Sequence, residues 1–397
     1  MEQRVFESAI KLMVGDGIIE NLPYVLKQKN CEKIMIVSDE PAYRLGYVDM
    51  IKRALSSSPI EIKYIYKNVG DIALDKDAEE ITRKYKYFAC NGIIAIGKKS
   101  AIMAAKVAKV LITEDARYVS SFKSNKLTDY PTDTALLIAV PINFGSGFEA
   151  LPIARIYDKV NNAVYEFDTA YCSTDIFVMD TKMTDITPPK AIATHGLFAL
   201  ALAMECFIKD DTNMMAKAYA DASIGIIFKY LNKCIFKNAN MEYRQKIMEA
   251  LGLAGCGYAM IKKNNLLSPL SDIISDRFFA NYANIYAILF RKYIENVEVG
   301  RAFGYALNSM VDSNDFALYA KESRAQKTLA QIEGLYKNVE ECVDFNAHLA
   351  DFGVKEEDIE EIANLFARAN EDKTITKDKV IELLKACLWW KGITKKN

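Results

Sequence analysis

Histidine is nearly absent from this chain. Its 397 residues include two, His195 and His348, too few for any site that takes three imidazoles from one chain. No C-x-x-C pair occurs, and the eight cysteines are scattered from Cys31 to Cys387. In a long chain that scatter argues against a zinc knuckle or a disulfide framework, and for buried thiols in a cytoplasmic protein. Charge excess is missing too: 51 Lys and Arg face 52 Asp and Glu, a net charge of −1. Nucleic-acid partners, which call for a basic excess or stripe, are not expected. Charged residues break the apolar runs short of the roughly 20 residues that cross a bilayer, so no membrane span is expected. The first residues, Met-Glu-Gln-Arg-Val-Phe-Glu, have no apolar core and do not read as a signal peptide.

Apolar side chains are plentiful. Hydrophobic residues make up 51% of the chain, and the length suits two domains of roughly 100–200 residues each. Lys33–Asp39, Gly92–Gly97 and Ala135–Pro141 read as buried strands rich in Ile, Val and Ala. Val48–Leu55 and Ile102–Leu111 between them carry helical spacing, and this alternation predicts a parallel sheet covered by helices. After Pro188-Pro189 the pattern becomes helical throughout: Ile192–Ile208, Met214–Asn232, Tyr243–Met260, Phe278–Tyr293, Leu318–Lys337, Asp351–Ala369, and Thr376–Leu388 with Thr376 as N-cap. The expected architecture is an α/β Rossmann-like domain over residues 1–186, followed by an all-helical domain over residues 187–397.

Short motifs fall along the chain in a set order. Val14-Gly15-Asp16-Gly17 resembles an F-G-x-G turn, and Ile36-Val37-Ser38-Asp39 a first nucleotide-binding strand, with Leu45-Gly46 following it. Ile94-Ala95-Ile96-Gly97-Lys98-Lys99-Ser100, then Ala105-Lys106, resembles I-A-I-G-G-G-S…A-K. Pro141 to Glu149 resembles P-T-T-A-G-T-G-S-E, and Val178-Met179-Asp180 with Pro189 a D-P…L-P link. Ala193 to Glu205 keeps the frame T-G-M-D-A-L-x-H-A-x-E through Gly196, Ala199, Leu200, Ala203 and Glu205. Gly353–Asp358 and Thr374–Val380 resemble its closing helices. In this order the motifs resemble the iron-containing (group III) alcohol dehydrogenase and dehydroquinate synthase-like superfamily.

That resemblance implies a dinucleotide, NAD or NADP, whose diphosphate lies on backbone N–H groups at a helix start. The implied cofactor residues are Asp39, Gly97, Lys98, Lys99, Ser100, Gly145, Ser146 and Gly147. Asp39 would accept a ribose hydroxyl and disfavour a 2′-phosphate, which favours NAD. Lys98 and Lys99 stand where the family has glycines, and two readings are open. Either the lysines bind the anion as charge-assisted donors, or the turn has drifted, the lysines face solvent, and dinucleotide binding is weak or lost. Phe148 replaces the family's serine and narrows whatever opening lies there.

The resemblance also implies a divalent iron or zinc held by one aspartate and three histidines. Those positions fall on Phe198, Leu202, Leu267 and Asn281, so no catalytic metal is expected. Asp272 and Asp276, at i,i+4 spacing, are alternative carboxylates, read instead as a solvated face beside Arg277. His195 is the candidate proton donor, against the plainer reading of a helix-start histidine satisfied by backbone; Glu205 reads as structural. Three functions compete. The first is a metal-independent NAD(P)-linked alcohol or aldehyde oxidoreductase, with a small-molecule substrate in an interdomain cleft and a homo-oligomeric state as in relatives. The second is a non-catalytic descendant acting as a binding or partner subunit. The third, a lyase of the dehydroquinate synthase type, would need the same missing imidazoles.

Overall fold

The structure is a computed structural model, and it describes residues 10–122, 134–161, 163–208, 213–237, 240–261, 266–370 and 374–389. The chain forms two compact units, residues 1–187 and 188–397.

The first unit runs β1 (Lys11–Gly15), α1 (Leu22–Gln28), β2 (Lys33–Asp39), α2 (Glu40–Arg44), α3 (Tyr47–Leu55), β3 (Glu61–Val69), α4 (Asp75–Tyr87), β4 (Gly92–Gly97), α5 (Lys99–Thr113), β5 (Leu136–Pro141), β6 (Ile153–Asp158), β7 (Ala163–Asp168) and β8 (Ile176–Asp180). Six strands make one sheet in the order β1-β8-β5-β4-β2-β3, and every pairing in it is parallel. All of β4 and nearly all of β2 and β5 are buried, because the crossover helices cover both faces of a parallel sheet. This is the α/β architecture that the strand–helix alternation predicts. The antiparallel pair β6–β7 was not expected; its alternating burial belongs to a ribbon with one covered face.

The sheet brings distant motifs together. Asp180, at the end of β8, accepts hydrogen bonds from the amides of Gly17 (3.0 Å) and Ile19 (3.0 Å), just after β1. Asp39, at the end of β2, accepts the Ala42 amide at 2.8 Å, capping α2, and the Lys98 amide at 2.5 Å, beyond β4.

The second unit runs α6 (Pro189–Ile208), α7 (Met214–Phe236), α8 (Met241–Ala259), α9 (Leu267–Phe278), α10 (Tyr282–Asn296), α11 (Arg301–Tyr305), α12 (Ser313–Leu318), α13 (Arg324–Cys342), α14 (Glu356–Ala369) and α15 (Lys377–Leu388). The expected helix over Phe278–Tyr293 is corrected: Phe279 adopts a φ of 51° and ends α9, and Asn281 starts α10 by accepting the Asn284 amide at 3.1 Å. The expected helix over Leu318–Lys337 likewise begins at Arg324, α12 being a separate short turn. Thr376 does cap α15. The expectation of no span-length apolar helix is also corrected. α6 is long and apolar enough to cross a membrane, but 94% of its apolar window is buried inside the protein, as befits a core helix hydrophobic on all sides.

Candidate functional site

The turn between β4 and α5 carries the implied phosphate site. Gly97 has a φ of 152°, and a Cβ there would meet Asp39 Oδ2 at 2.5 Å, so glycine is required both by conformation and by the close carboxylate. Asp39 is buried, 1% exposed. Burial pushes its carboxyl above the usual range, and the amides of Lys98 and Ala42 oppose that rise. Its carboxylate thus joins β2 to the start of α5, and little of it is left at the surface for a ribose.

The two lysines leave the turn in different directions. Lys98 reaches Asp71 at 3.0 Å across an exposed pair. Lys99 folds over the Phe148 ring, with its Nζ 4.1 Å from the ring centroid. Lys98 thus faces solvent in its pair with Asp71, while Lys99 is half-buried against the ring.

Ser100 lies one residue on. Its residue is 5% exposed, and among the described residues its Oγ has no hydrogen-bond partner. A buried hydroxyl without a partner costs about 1–3 kcal/mol. It sits in the first turn of α5, where the N–H groups have no intrahelical acceptor and the dipole favours an anion. Among the described residues, no side chain caps that end of the helix and no acid lies in its first turn. This donor set fits a phosphate. If a dinucleotide binds, Ser100 Oγ, the first-turn amides of α5 and Lys99 are the groups that would hold its diphosphate.

The loop after β5 is built around buried carboxylate and ammonium groups. Gly145 and Gly147 have φ of 85° and 75°. Buried Glu149 accepts the Ser146 amide at 3.0 and 3.1 Å and the Ser146 hydroxyl at 2.9 Å, so the Ser146 donors already have an internal acceptor. Lys106, fully buried on α5, donates to the carbonyls of Phe148 and Leu151 at 2.6 Å each and of Ile153 at 3.4 Å. Nothing in the sequence pointed to that role, since an A-K pair on a helix gives no sign of what its lysine meets. A surface groove of about 570 Å³ elsewhere in this unit is lined by Leu45, Tyr47, Met50, Arg53, Lys182 and Ile186, and by none of the candidate residues.

In the helical unit the four implied metal-ligand positions have other uses. Phe198 is fully buried and meets the rings of Tyr286 and Tyr282 edge-on, at 5.2 and 5.9 Å. Leu202 and Leu267 are buried apolar side chains, and Asn281 caps α10 through Asn284. Among the described residues no group of three His, Cys, Asp or Glu side chains converges as a metal site. The residues at these positions do not fit a divalent ion, because three are hydrocarbon and an ion beside them would be costly. The solvated-face reading of Asp272 and Asp276 holds for Asp276 alone. Asp272 is buried, 6% exposed, on the face that α9 turns inward.

Close to Phe198, Tyr286 donates a short hydrogen bond to Glu205 Oε1. Burial pushes the Glu205 carboxyl up to about 8, with the Tyr286 hydroxyl opposing, and burial also raises Tyr286 well above its ordinary value. At neutral pH this pair is therefore uncharged. His195 lies on α6, 9% exposed, and burial lowers it to about 4, so its imidazole is neutral at pH 7.

A parallel α/β unit followed by an all-helical unit is the architecture of a two-unit α/β-plus-α protein class. The family model for iron-containing alcohol dehydrogenase matches residues 9–181, and that for the C-terminal part of the Fe-containing alcohol dehydrogenase family matches residues 192–388. The chain belongs to this family. It is 23% identical to the sulfoacetaldehyde reductase of Bilophila wadsworthia over 393 residues, covering 95% of this chain and 97% of that one. It is 28% identical to aldehyde-alcohol dehydrogenase 2 of Entamoeba histolytica over 252 residues, 60% of this chain but only 28% of that longer protein. The crystal structure of the sulfoacetaldehyde reductase from Bifidobacterium kashiwanohense in complex with NAD+ has the same fold, with a TM-score of 0.77 at 15% identity over 98% of this chain and 99% of that one.

Proposed function

We propose that this chain is an NAD(P)-linked oxidoreductase of small alcohols or aldehydes, with NAD favoured, that works without the family's metal. The observation that carries the proposal is the unpartnered, buried Ser100 hydroxyl in the first turn of α5, where a phosphate oxygen would accept it. Membership of the family and the NAD+ complex of a structural relative support the NAD-linked oxidoreductase part of this reading. A bound nicotinamide supplies or accepts the hydride.

The chain's own residues do the rest. Ser100, the α5 amides and Lys99 hold the diphosphate, Lys98 being paired with Asp71, while Gly97, Gly145, Ser146 and Gly147 shape the backbone around it. Asp39 braces the turn from beneath through the Lys98 amide. The metal-free part of the proposal rests on Phe198 and Leu202, whose hydrocarbon leaves a cation no donor. The proton for the nascent alkoxide comes from His195 or from solvent, and an imidazole that burial keeps neutral at pH 7 favours solvent.

Fluorescence titration with NADH and NADPH, together with measurement of bound metal, tests this. Tighter binding of NADH than NADPH by metal-free protein is expected. No dinucleotide binding at millimolar concentration overturns the proposal and leaves the non-catalytic descendant. Stoichiometric iron or zinc overturns its metal-free part.

A further inference from the structure

Resting on the oxidoreductase reading, we propose that the Tyr282 hydroxyl, supported by Ser268, is the proton donor to the substrate's carbonyl oxygen, at the place marked by the implied metal-ligand positions. Those positions lie on three helices: Phe198 and Leu202 on α6, Leu267 on α9, and Asn281 at the start of α10. Tyr282 joins all three. It follows Asn281 directly in α10. Its ring meets Phe198 of α6 edge-on at 5.9 Å. Its hydroxyl donates to the Ser268 hydroxyl, the residue after Leu267 in α9, at 3.0 Å. Three of the four positions are buried hydrocarbon, which gives a cation nothing to bind. A phenol that packs against them offers a hydrogen-bond donor instead.

Two tyrosines of α10 pack on Phe198, one helical turn apart, and burial separates their roles. Tyr286 is 1% exposed and its hydroxyl is given to Glu205. Tyr282 and Ser268 are only half-buried, so water has access to this pair. Hydride transfer to a carbonyl carbon pushes the π electrons onto oxygen, and a positioned donor stabilises that charge. A phenol is a stronger acid than an aliphatic alcohol, so it gives its proton to the nascent alkoxide. The step balances. The carbonyl carbon gains the hydride of a reduced nicotinamide, which is oxidised, and the carbonyl oxygen gains the Tyr282 proton. The Ser268 hydroxyl then turns to donate to the phenolate, and solvent returns the proton. Tyr282 is thus the route by which a solvent proton reaches the substrate.

The test uses wild type, Tyr282→Phe, Ser268→Ala and Ser268→Thr, all with EDTA present. Reduction of acetaldehyde and benzaldehyde by NADH gives kcat and KM, fluorescence gives NADH binding, and calorimetry gives binding of benzamide, whose carbonyl mimics the aldehyde's. Tyr282→Phe keeps the ring against Phe198, and circular dichroism melts confirm folding. It is expected to lower kcat about 100-fold or more, to weaken benzamide about tenfold, and to leave NADH affinity unchanged. Ser268→Ala is expected to lower kcat about tenfold and Ser268→Thr, which keeps the hydroxyl, to restore it. A folded Tyr282→Phe with kcat within about threefold of wild type overturns the inference and leaves the dinucleotide reading standing. Activity that EDTA removes and iron or zinc restores does the same. Should Tyr282→Phe not fold, an unchanged kcat in Ser268→Ala overturns the inference. Tyr282-dependent benzamide binding by a wild type that binds no NADH supports the donor and overturns the dinucleotide reading. Binding of neither probe by wild type overturns both.

Discussion

The ammonium of Lys99 lies over the ring of Phe148, 4.1 Å from its centroid, although 49 residues separate them in sequence. Each replaces a small family residue in one of the two implied cofactor loops. The lysine and the phenylalanine meet there in a cation–π contact. The two loops are also joined through the backbone, where the Ile142 amide donates to the Gly97 carbonyl at 3.1 Å.

Lys106 is expected to carry much of that loop's stability. It is fully buried and donates to three carbonyls. Lys106→Met keeps the hydrocarbon volume and removes every donor, leaving carbonyls without partners at about 1–3 kcal/mol each. A loss of at least about 3 kcal/mol is expected in urea unfolding. A loss below about 1 kcal/mol would show that water replaces the ammonium.

Stability is expected to depend on pH through two buried groups of opposite sign. Glu205, raised from 4.5 to about 8, keeps its proton in the folded state and loses it on unfolding, so its contribution is full below pH 4.5 and is lost as pH rises to about 8. His195, lowered from 6.5 to about 4, is neutral when folded, so its contribution is full above pH 6.5 and is lost as pH falls towards 4. The two slopes oppose each other between about pH 4.5 and 6.5. From there to about 8 stability falls, by up to about 1.4 kcal/mol per pH unit. Glu205→Gln is expected to abolish that fall and expose a rise from pH 4 to 6.5. Urea midpoints measured from pH 4 to 8.5 check it, and an unchanged profile for Glu205→Gln would sink the argument.

Restoring the family's aspartate is expected to unfold the floor of the helical unit before it binds anything. Phe198 packs against Tyr282 and Tyr286 with no exposed surface. Phe198→Ala should cost about 3–5 kcal/mol. Phe198→Asp should cost more, through an unpaired carboxylate in an apolar place. Thermal melts with and without added zinc check this. A Phe198→Asp variant that zinc restores to wild-type stability would show that the remaining positions can still supply ligands.

Periodicity and local composition were enough to place β2 and β4 residue for residue, the parallel sheet around them, and the helical character of the chain after Pro189. These follow from which side chains can be buried at a period of 2 or 3.6 residues. α9 (Leu267–Phe278) was not expected, and the helix expected from Phe278 starts at Tyr282, because the positive φ of Phe279 leaves no mark on the hydrophobic pattern. Asp272 was misread for a related reason: spacing gives a face, but not what that face meets. The identities of Phe198 and Leu202 were legible as hydrocarbon, and the structure buries both.

What only the tertiary structure decided is where the polar groups go. Asp39 takes the Lys98 amide, Glu149 takes Ser146, Glu205 takes Tyr286, and Lys99 takes the ring of Phe148, while Ser100 is left without a partner among the described residues. A hydrogen bond is specified to a few tenths of an ångström between groups far apart in sequence, and no local pattern encodes such a distance. The sequence by itself determined the family frame; folding decided which buried donors are already spent and that the Ser100 hydroxyl has no partner among the described residues.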